Sequence, residues 1–398
     1  MEELISYQNN LLSQVNDTWF RYLYDKLKSE ERLLGIKGLR GVGKTTLLLQ
    51  YMKYGFDKPD KALYVTADHP YFYQNTLFEL AAEWYRYGGE LLLIDEVHKY
   101  PDWSREIKLI YDGHPKLKVI FTSSSALDLY RGESDLSRRL ITQTLQGMSF
   151  REYLSLMHNM KFEAADLQQL LKGHQKISRE VCSNMKPLPL FKEYLKGGYF
   201  PFIVHQNADT LGQRLIQVIN TVLESDLSYI QDFSTANIIK IKKLLGVIAS
   251  VAPFEPNISK IAQKLHLGRD TVNHYLRHLH DAYIVILANK PSKSISNLQK
   301  PDKIYIENTA FAYALQNVPE IGTIRETFFI NQLRNAGYTV NLSDRGDFLI
   351  NEKWTFEIGG RNKDNNQISN MDDAFLALDE IETGFNNKIP LWLFGFLY

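Results

Sequence analysis

The chain has 398 residues, 44% hydrophobic, 12% aromatic and 23% charged, with 46 basic side chains facing 46 acidic ones. That length predicts two or three globular units, and the composition excludes wholesale disorder. A formal charge of zero excludes a polycation, so any nucleic-acid surface must be local.

The single cysteine, Cys182, excludes an internal disulfide and is expected to be a small buried side chain; no Cys/His spacing resembles a zinc site. The first residues have neither a basic start nor an apolar core, and apolar runs such as 91–94 fall far short of the ~20 residues that span a bilayer. A soluble, cytoplasmic protein with no membrane partner is expected.

In chain order, the first strong signal is Gly38-Leu39-Arg40-Gly41-Val42-Gly43-Lys44-Thr45-Thr46, which satisfies Gly-x4-Gly-Lys-Ser/Thr in full. An apolar run, 33–36, precedes it, and a helical pattern, 47–52, follows, which is the strand–loop–helix context the motif requires. Glycines let backbone N–H groups turn inward around phosphate oxygens, and the helix N-terminus adds the positive end of its dipole. Lys44 then places a charge on the β/γ-phosphates of ATP, and the Thr45 hydroxyl is available to Mg2+.

Residues 62–66 read as a strand, 71–87 as an amphipathic helix, 103–111 as a helix after Pro101, and 117–122 as a further strand leading into Ser123, Ser124 and Ser125. Between them, Leu91-Leu92-Leu93-Ile94-Asp95-Glu96 is a strand apolar on both faces that ends in two carboxylates. Asp95 is expected to hold the metal's water shell, and Glu96 to orient and deprotonate the attacking water. Repeated β–α units predict a parallel sheet with helices on both faces and a ligand at the carboxyl ends of its strands.

The set GLRGVGKTT, LLLIDE followed by PDW, and a strand ending TSSS resembles the AAA+ ATPase family. Within it, the chain is similar to the bacterial and archaeal group in which an AAA+ module precedes a winged helix and a nuclease-like C-terminal domain. The resemblance implies a sensor of the γ-phosphate at Thr122 or Ser124, with Ser123 standing where the family has glycine. It also implies an arginine acting in trans at Arg139, with Arg138 replacing a glycine; a surface salt bridge is the alternative reading of Arg139. Residues 149 to about 230 suit the family's helical lid. The break Gly197-Gly198-Tyr199-Phe200-Pro201 fits either the family's turn near the nucleotide or a plain interhelical turn.

Residues 237–303 carry eleven basic against four acidic residues, and 304–398 carry seven against thirteen. In the basic segment, 258–265 reads as an amphipathic helix with Ile258, Ile261, Ala262 and Leu265 on one stripe. A short turn, 266–268, leads to a second helix, 269–279, buried through Val272, Leu276 and Leu279, and an apolar strand, 281–287, follows. This is the order of a winged helix. Arg269, Thr271, Asn273, His274 and Arg277 fall on the outer face of the second helix. These are residue types that reach base edges and phosphates of double-stranded DNA, although such folds also mediate protein contacts.

After Pro301 the expected order is helix, strand, strand, strand, helix, strand, with a hairpin across Asn351-Glu352 and a closing strand at 391–394. This resembles the PD-(D/E)xK nuclease fold, with Glu326 on the helix and Asp347 and Glu357 matching its metal-binding carboxylates. The resemblance places a lysine where this chain has Gly359, so a degenerate site used for binding is expected rather than cleavage. Strand alternation groups Glu357, Gly359 and Arg361 on one face.

The sequence therefore predicts an α/β protein: a parallel P-loop NTPase core (1–148), a helical lid (149–235), a winged helix-turn-helix (236–300) and a nuclease-like α/β domain (301–398). The expected activity is hydrolysis of ATP with Mg2+ to drive domain rearrangement on DNA. The alternatives are a slow nucleotide-gated adaptor for protein or DNA and an ATP-gated nuclease. A homo-oligomer or a protein partner is expected if an arginine acts in trans.

Overall fold

A computed structural model describes residues 1–124, 136, 138–205, 208–226, 234–291, 300–316, 318–369 and 371–398. Ser125 and part of the expected wing, 292–299, lie outside these. The chain divides into two compact units, one of residues 1–146 with 224–234 and one of 147–223 with 235–398.

In the first unit, α1 (Glu2–Ser13) precedes β1 (Leu33–Lys37), α2 (Lys44–Gln50), β2 (Ala62–Thr66), α3 (Leu77–Arg86), β3 (Leu91–Asp95), α4 (Trp103–Gly113), β4 (Lys118–Ser123) and β5 (Ile141–Thr144). The strands form one sheet in the order β2-β3-β4-β1-β5, every pairing parallel. β3 is buried along its whole length, which is why its sequence is an unbroken apolar run rather than an alternation. One face of the sheet packs on α1, α3 and α4 through Leu4, Leu77, Leu80, Ile107 and Ile110. The helix expected from 71 begins only at Leu77, because Thr76 and Glu79 form a reciprocal capping box and Pro70 starts a separate 3-10 turn.

In the second unit, α5 (Phe150–His158) and α6 (Leu167–Asn184) each start on a capping box, Ser149 with Glu152 and Asp166 with Gln169. α7 (Pro187–Gly197), α8 (Ala208–Thr221) and α9 (Thr235–Ala249) follow. Gly198 caps α7, and Tyr199 and Phe200 turn into the core, so this break is an interhelical turn within the unit. Cys182 is half-buried on α6 rather than fully buried.

α10 (Ile258–Leu265) starts on an Asn257 cap, and His266 in the left-handed region turns the chain toward α11 (Arg269–Asp281). β6 (Val285–Ala288) pairs antiparallel with β7 (Lys303–Ile306). The strand expected from 281 starts later, because α11 runs to Asp281 and Tyr283 has a positive φ.

α12 (Thr309–Leu315) and α13 (Ile321–Asn335) lead to a five-stranded mixed sheet of β8 (Val340–Leu342), β9 (Phe348–Ile350), β10 (Trp354–Gly359), β11 (Ala374–Leu378) and β12 (Lys388–Pro390). β8, β9 and β10 are antiparallel neighbours, and β10, β11 and β12 are parallel. The β9–β10 hairpin turns at Asn351 and Glu352, both at positive φ. Two expectations fail here. The segment read as a helix after β10 is β11: Ala and Leu favour helix locally, but three parallel-sheet positions at Leu376, Ala377 and Leu378 bury them completely. The closing strand is β12, and residues 391–394 lie in a buried 3-10 turn beginning at Leu391, after Pro390 ends the ladder.

Candidate functional site

The loop between β1 and α2 emerges at the carboxyl end of a central strand of the parallel sheet. Gly41 and Gly43 adopt positive φ, a conformation without steric cost only for glycine, and Gly43 is the N-cap of α2. Leu39 and Val42 anchor the loop in the core, and Thr45 and Thr46 are exposed. Arg40 is half-exposed. At Gly38 a Cβ would lie 2.2 Å from the Leu145 carbonyl oxygen, so the backbone needs the absence of a side chain there. Lys44 lies along the loop, its Nζ donating to the Gly38 carbonyl at 2.8 Å and the Leu39 carbonyl at 3.3 Å. Buried Arg21 braces the loop from outside, donating to the carbonyl of Val42 and, at 2.7 Å, to that of Gln146.

β3 carries Asp95 beside this loop. Its buried carboxylate accepts from three hydroxyls: Thr45 at 2.6 Å and Tyr64 at 2.9 Å on Oδ2, and Thr122 on Oδ1. Burial, with Asp95 adjacent, pushes the Tyr64 phenol far above its ordinary range, so it remains a donor. Thr122 in turn accepts the backbone N–H of Glu96 at 3.0 Å. Thr45 and Asp95 thus offer hard oxygen donors side by side, a set that fits Mg2+.

Glu96 has left-handed backbone angles, which turn its side chain off the strand. Its Oε2 is buried without a hydrogen bond and lies 3.6 Å from Lys99, 3.7 Å from His98 and 3.9 Å from Arg40. His98 Nε2 is 2.9 Å from Ser124 Oγ, and Ser124 itself is buried. Burial, with Lys44 and Lys99 nearby, pushes His98 down to about 3, so the ring is neutral. Sequence reasoning missed Tyr64, His98 and Arg21. Tyr64 reads as one more core residue of β2, whereas His98, three residues after Asp95, was within reach of a closer reading of the loop.

Arg139 spends its fork on Asp112 of α4, at 2.9 and 3.0 Å, in an exposed pair. On α11, Arg269 and His274 are exposed and Thr271, Asn273 and Arg277 partly so. His274 Nε2 lies 2.8 Å from His278 Nε2 one turn on.

In the second unit, Glu326, Asp347 and Glu357 each meet a donor of the chain. Glu326 accepts from Lys303 and Tyr305, both at 2.7 Å, and Asp347 accepts from the Ile358 N–H at 2.7 Å. Fully buried Glu357 pairs with Lys363 at 2.8 Å. β10 ends at Gly359, so Arg361 is not on the strand face; the Lys363 stem instead occupies the space over Gly359, where a Cβ would meet it at 2.5 Å. Burial pushes Asp347 up to about 6. With two lysines committed to two of the three carboxylates, these residues do not fit a metal centre. Among the described residues no group of three or more His, Cys, Asp or Glu side chains could hold a metal ion.

A five-stranded parallel sheet of this order, with a glycine-rich phosphate loop and an acidic strand end beside it, resembles the AAA+ P-loop fold. Residues 30–154 match the family model described as an AAA domain. Residues 188–321 match a second model, a domain of unknown function (DUF8612). Two relatives from Methanocaldococcus jannaschii are similar to the chain. The uncharacterized protein MJ1637 is 28% identical over 284 residues, 66% of this chain and 59% of the relative. The uncharacterized protein MJ1544 is 23% identical over 354 residues, 84% of this chain and 73% of the relative. Among solved structures, AMPPCP-bound DnaA from Aquifex aeolicus aligns over 65% of this chain and 84% of its own, at 18% identity and a TM-score of 0.26. The S. cerevisiae Hsp104–ADP complex aligns over 69% and 41%, at 13% identity and a TM-score of 0.30. At such scores neither alignment carries an argument about function. Among the described residues no helix is long and apolar enough to cross a membrane.

Proposed function

We propose that the chain is an AAA+ ATPase that binds ATP on the loop Gly38–Thr46 and hydrolyses it with Mg2+ to drive rearrangement of its domains. The observation that carries this reading is the convergence of Lys44, Thr45, Asp95 and Glu96 at the carboxyl ends of β1 and β3. Lys44 would leave the loop carbonyls for the β/γ-phosphates, Thr45 and Asp95 would hold Mg2+, and Glu96 would take the proton of the attacking water. Bound Mg2+ would neutralise charge on the phosphates. Thr122, near the end of the neighbouring strand, and Ser124, just past it, would report on the γ-phosphate, Thr122 through its bond to the Glu96 amide. Phosphate release from the wild-type chain and from Glu96→Gln tests the assignment; equal turnover would remove Glu96 from the mechanism.

A second reading, a slow nucleotide-gated switch, is favoured by one observation: the Glu96 carboxylate lies within 4 Å of the cationic Arg40 and Lys99, which draws its charge away from a water. Turnover with and without duplex DNA separates the two, strong stimulation favouring a motor that acts on DNA.

For the rest of the chain we propose a lid (149–235), a winged helix (236–300) that contacts DNA through α11, and a nuclease-like domain (301–398) used for binding. Support for the last comes from the neutralisation of Glu326 by Lys303 and of Glu357 by Lys363. Arg139 could act on a neighbour in a homo-oligomer only by giving up Asp112.

A further inference from the structure

Both oxygens of the buried Asp95 carboxylate accept hydrogen bonds from hydroxyl groups. Thr122 holds Oδ1, while Thr45 and Tyr64 both donate to Oδ2. A hydroxyl has one proton, and at 2.6 Å the Thr45 proton is committed to Asp95, which leaves its lone pairs facing out of the bond. The direction in which they face depends on where Oδ2 sits, and Tyr64 is the second group that fixes it. Tyr64 is itself rigid: its ring is buried in the middle of β2, and its backbone N–H donates to the Gln8 side chain at 2.7 Å.

We propose that Tyr64 is a positioning residue for the divalent cation of the nucleotide site, acting through Asp95 on the Thr45 hydroxyl. The inference deepens the ATPase reading and rests on it. Tyr64 would act only through Asp95: its phenol holds Oδ2 in place, and with it the Thr45 hydroxyl whose lone pairs would be offered to a bound cation. Groups that orient metal ligands typically change metal affinity about 10- to 100-fold when removed, and that is the effect expected here.

The test uses Tyr64→Phe in the full chain, which removes one oxygen and retains the ring. Fluorescent ATP is titrated first without divalent cation and then with rising Mg2+, and Mn2+ binding to the ADP complex is followed by electron paramagnetic resonance. The expected result is a rise of about tenfold or more in the Mg2+ and Mn2+ concentrations required, with cation-free nucleotide affinity and thermal midpoint close to wild type. An unchanged cation requirement would overturn the proposal. An equal loss of cation-free affinity would also overturn it, by reducing Tyr64 to a structural part of the strand. If the wild-type chain itself failed to couple nucleotide to Mg2+, the ATPase reading would fall and this assignment with it. A wild type that couples and a variant that couples equally well would sink the Tyr64 assignment alone.

Discussion

Thr45 Oγ1 donates to Asp95 Oδ2 across 2.6 Å, joining the first turn of α2 to the carboxyl end of β3, fifty residues away. Two groups in one bond act as a unit. Thr45→Ala and Asp95→Asn should each abolish the strengthening of nucleotide binding by Mg2+, and the double variant should lose little more than the worse single one. Nucleotide titrations with and without Mg2+ on all three variants provide the cycle; additive losses would mean that the residues serve the cation separately.

Gly38 should tolerate no side chain. A Cβ there meets the Leu145 carbonyl at 2.2 Å, and backbone rather than a flexible tip would have to move. Gly38→Ala is expected to cost about 1–3 kcal/mol and to weaken nucleotide binding, both readable from thermal unfolding with and without ATP. A midpoint equal to wild type would show that the loop yields more easily than its geometry implies.

Glu307 makes the stability of the second unit depend on pH. Its carboxyl is buried, its Oε2 has no hydrogen-bond partner, and burial pushes it from its ordinary 4.5 up to about 7, with Arg334 opposing. The folded state therefore binds the proton more tightly than the unfolded chain. The resulting stability is fully present below pH 4.5 and is lost as pH rises through about 7. Glu307→Gln should remove this component, so that between about pH 5 and pH 8 the variant gains roughly 2–3 kcal/mol on the wild type. Denaturant midpoints at the two pH values measure it; parallel curves would contradict it.

The carboxylates of the C-terminal sheet should not support cleavage. With Glu326 bound to Lys303 and Glu357 to Lys363, plasmid DNA incubated with the protein in Mg2+ or Mn2+ should remain intact. Asp347→Ala should leave ATP turnover unchanged. Metal-dependent nicking lost in Asp347→Ala would reverse this reading.

The nucleotide site was legible because its determinants are contiguous: a nine-residue loop, and an apolar run ending in Asp95-Glu96. Helices α10 and α11 were legible from periodicity and a glycine turn. β11 was not, since Ala374-Phe375-Leu376-Ala377-Leu378 has helical preference and only the partners on either side make it a strand. Arg361 and Lys363 were both candidates to reach in beside Gly359, and only the turn after β10 decides for Lys363. Tyr64 and Asp95 lie on neighbouring strands, and nothing local in either strand announces their bond.

The most direct test of the central claim is equilibrium binding of labelled ATP in the presence of Mg2+ to the wild-type chain and to Lys44→Ala. The account predicts saturable binding to the wild type and at least tenfold weaker binding to the variant, the loss expected for a charge-assisted bond of about 1.5–3 kcal/mol. Indistinguishable curves for the two proteins, whether both bind or neither does, would contradict it.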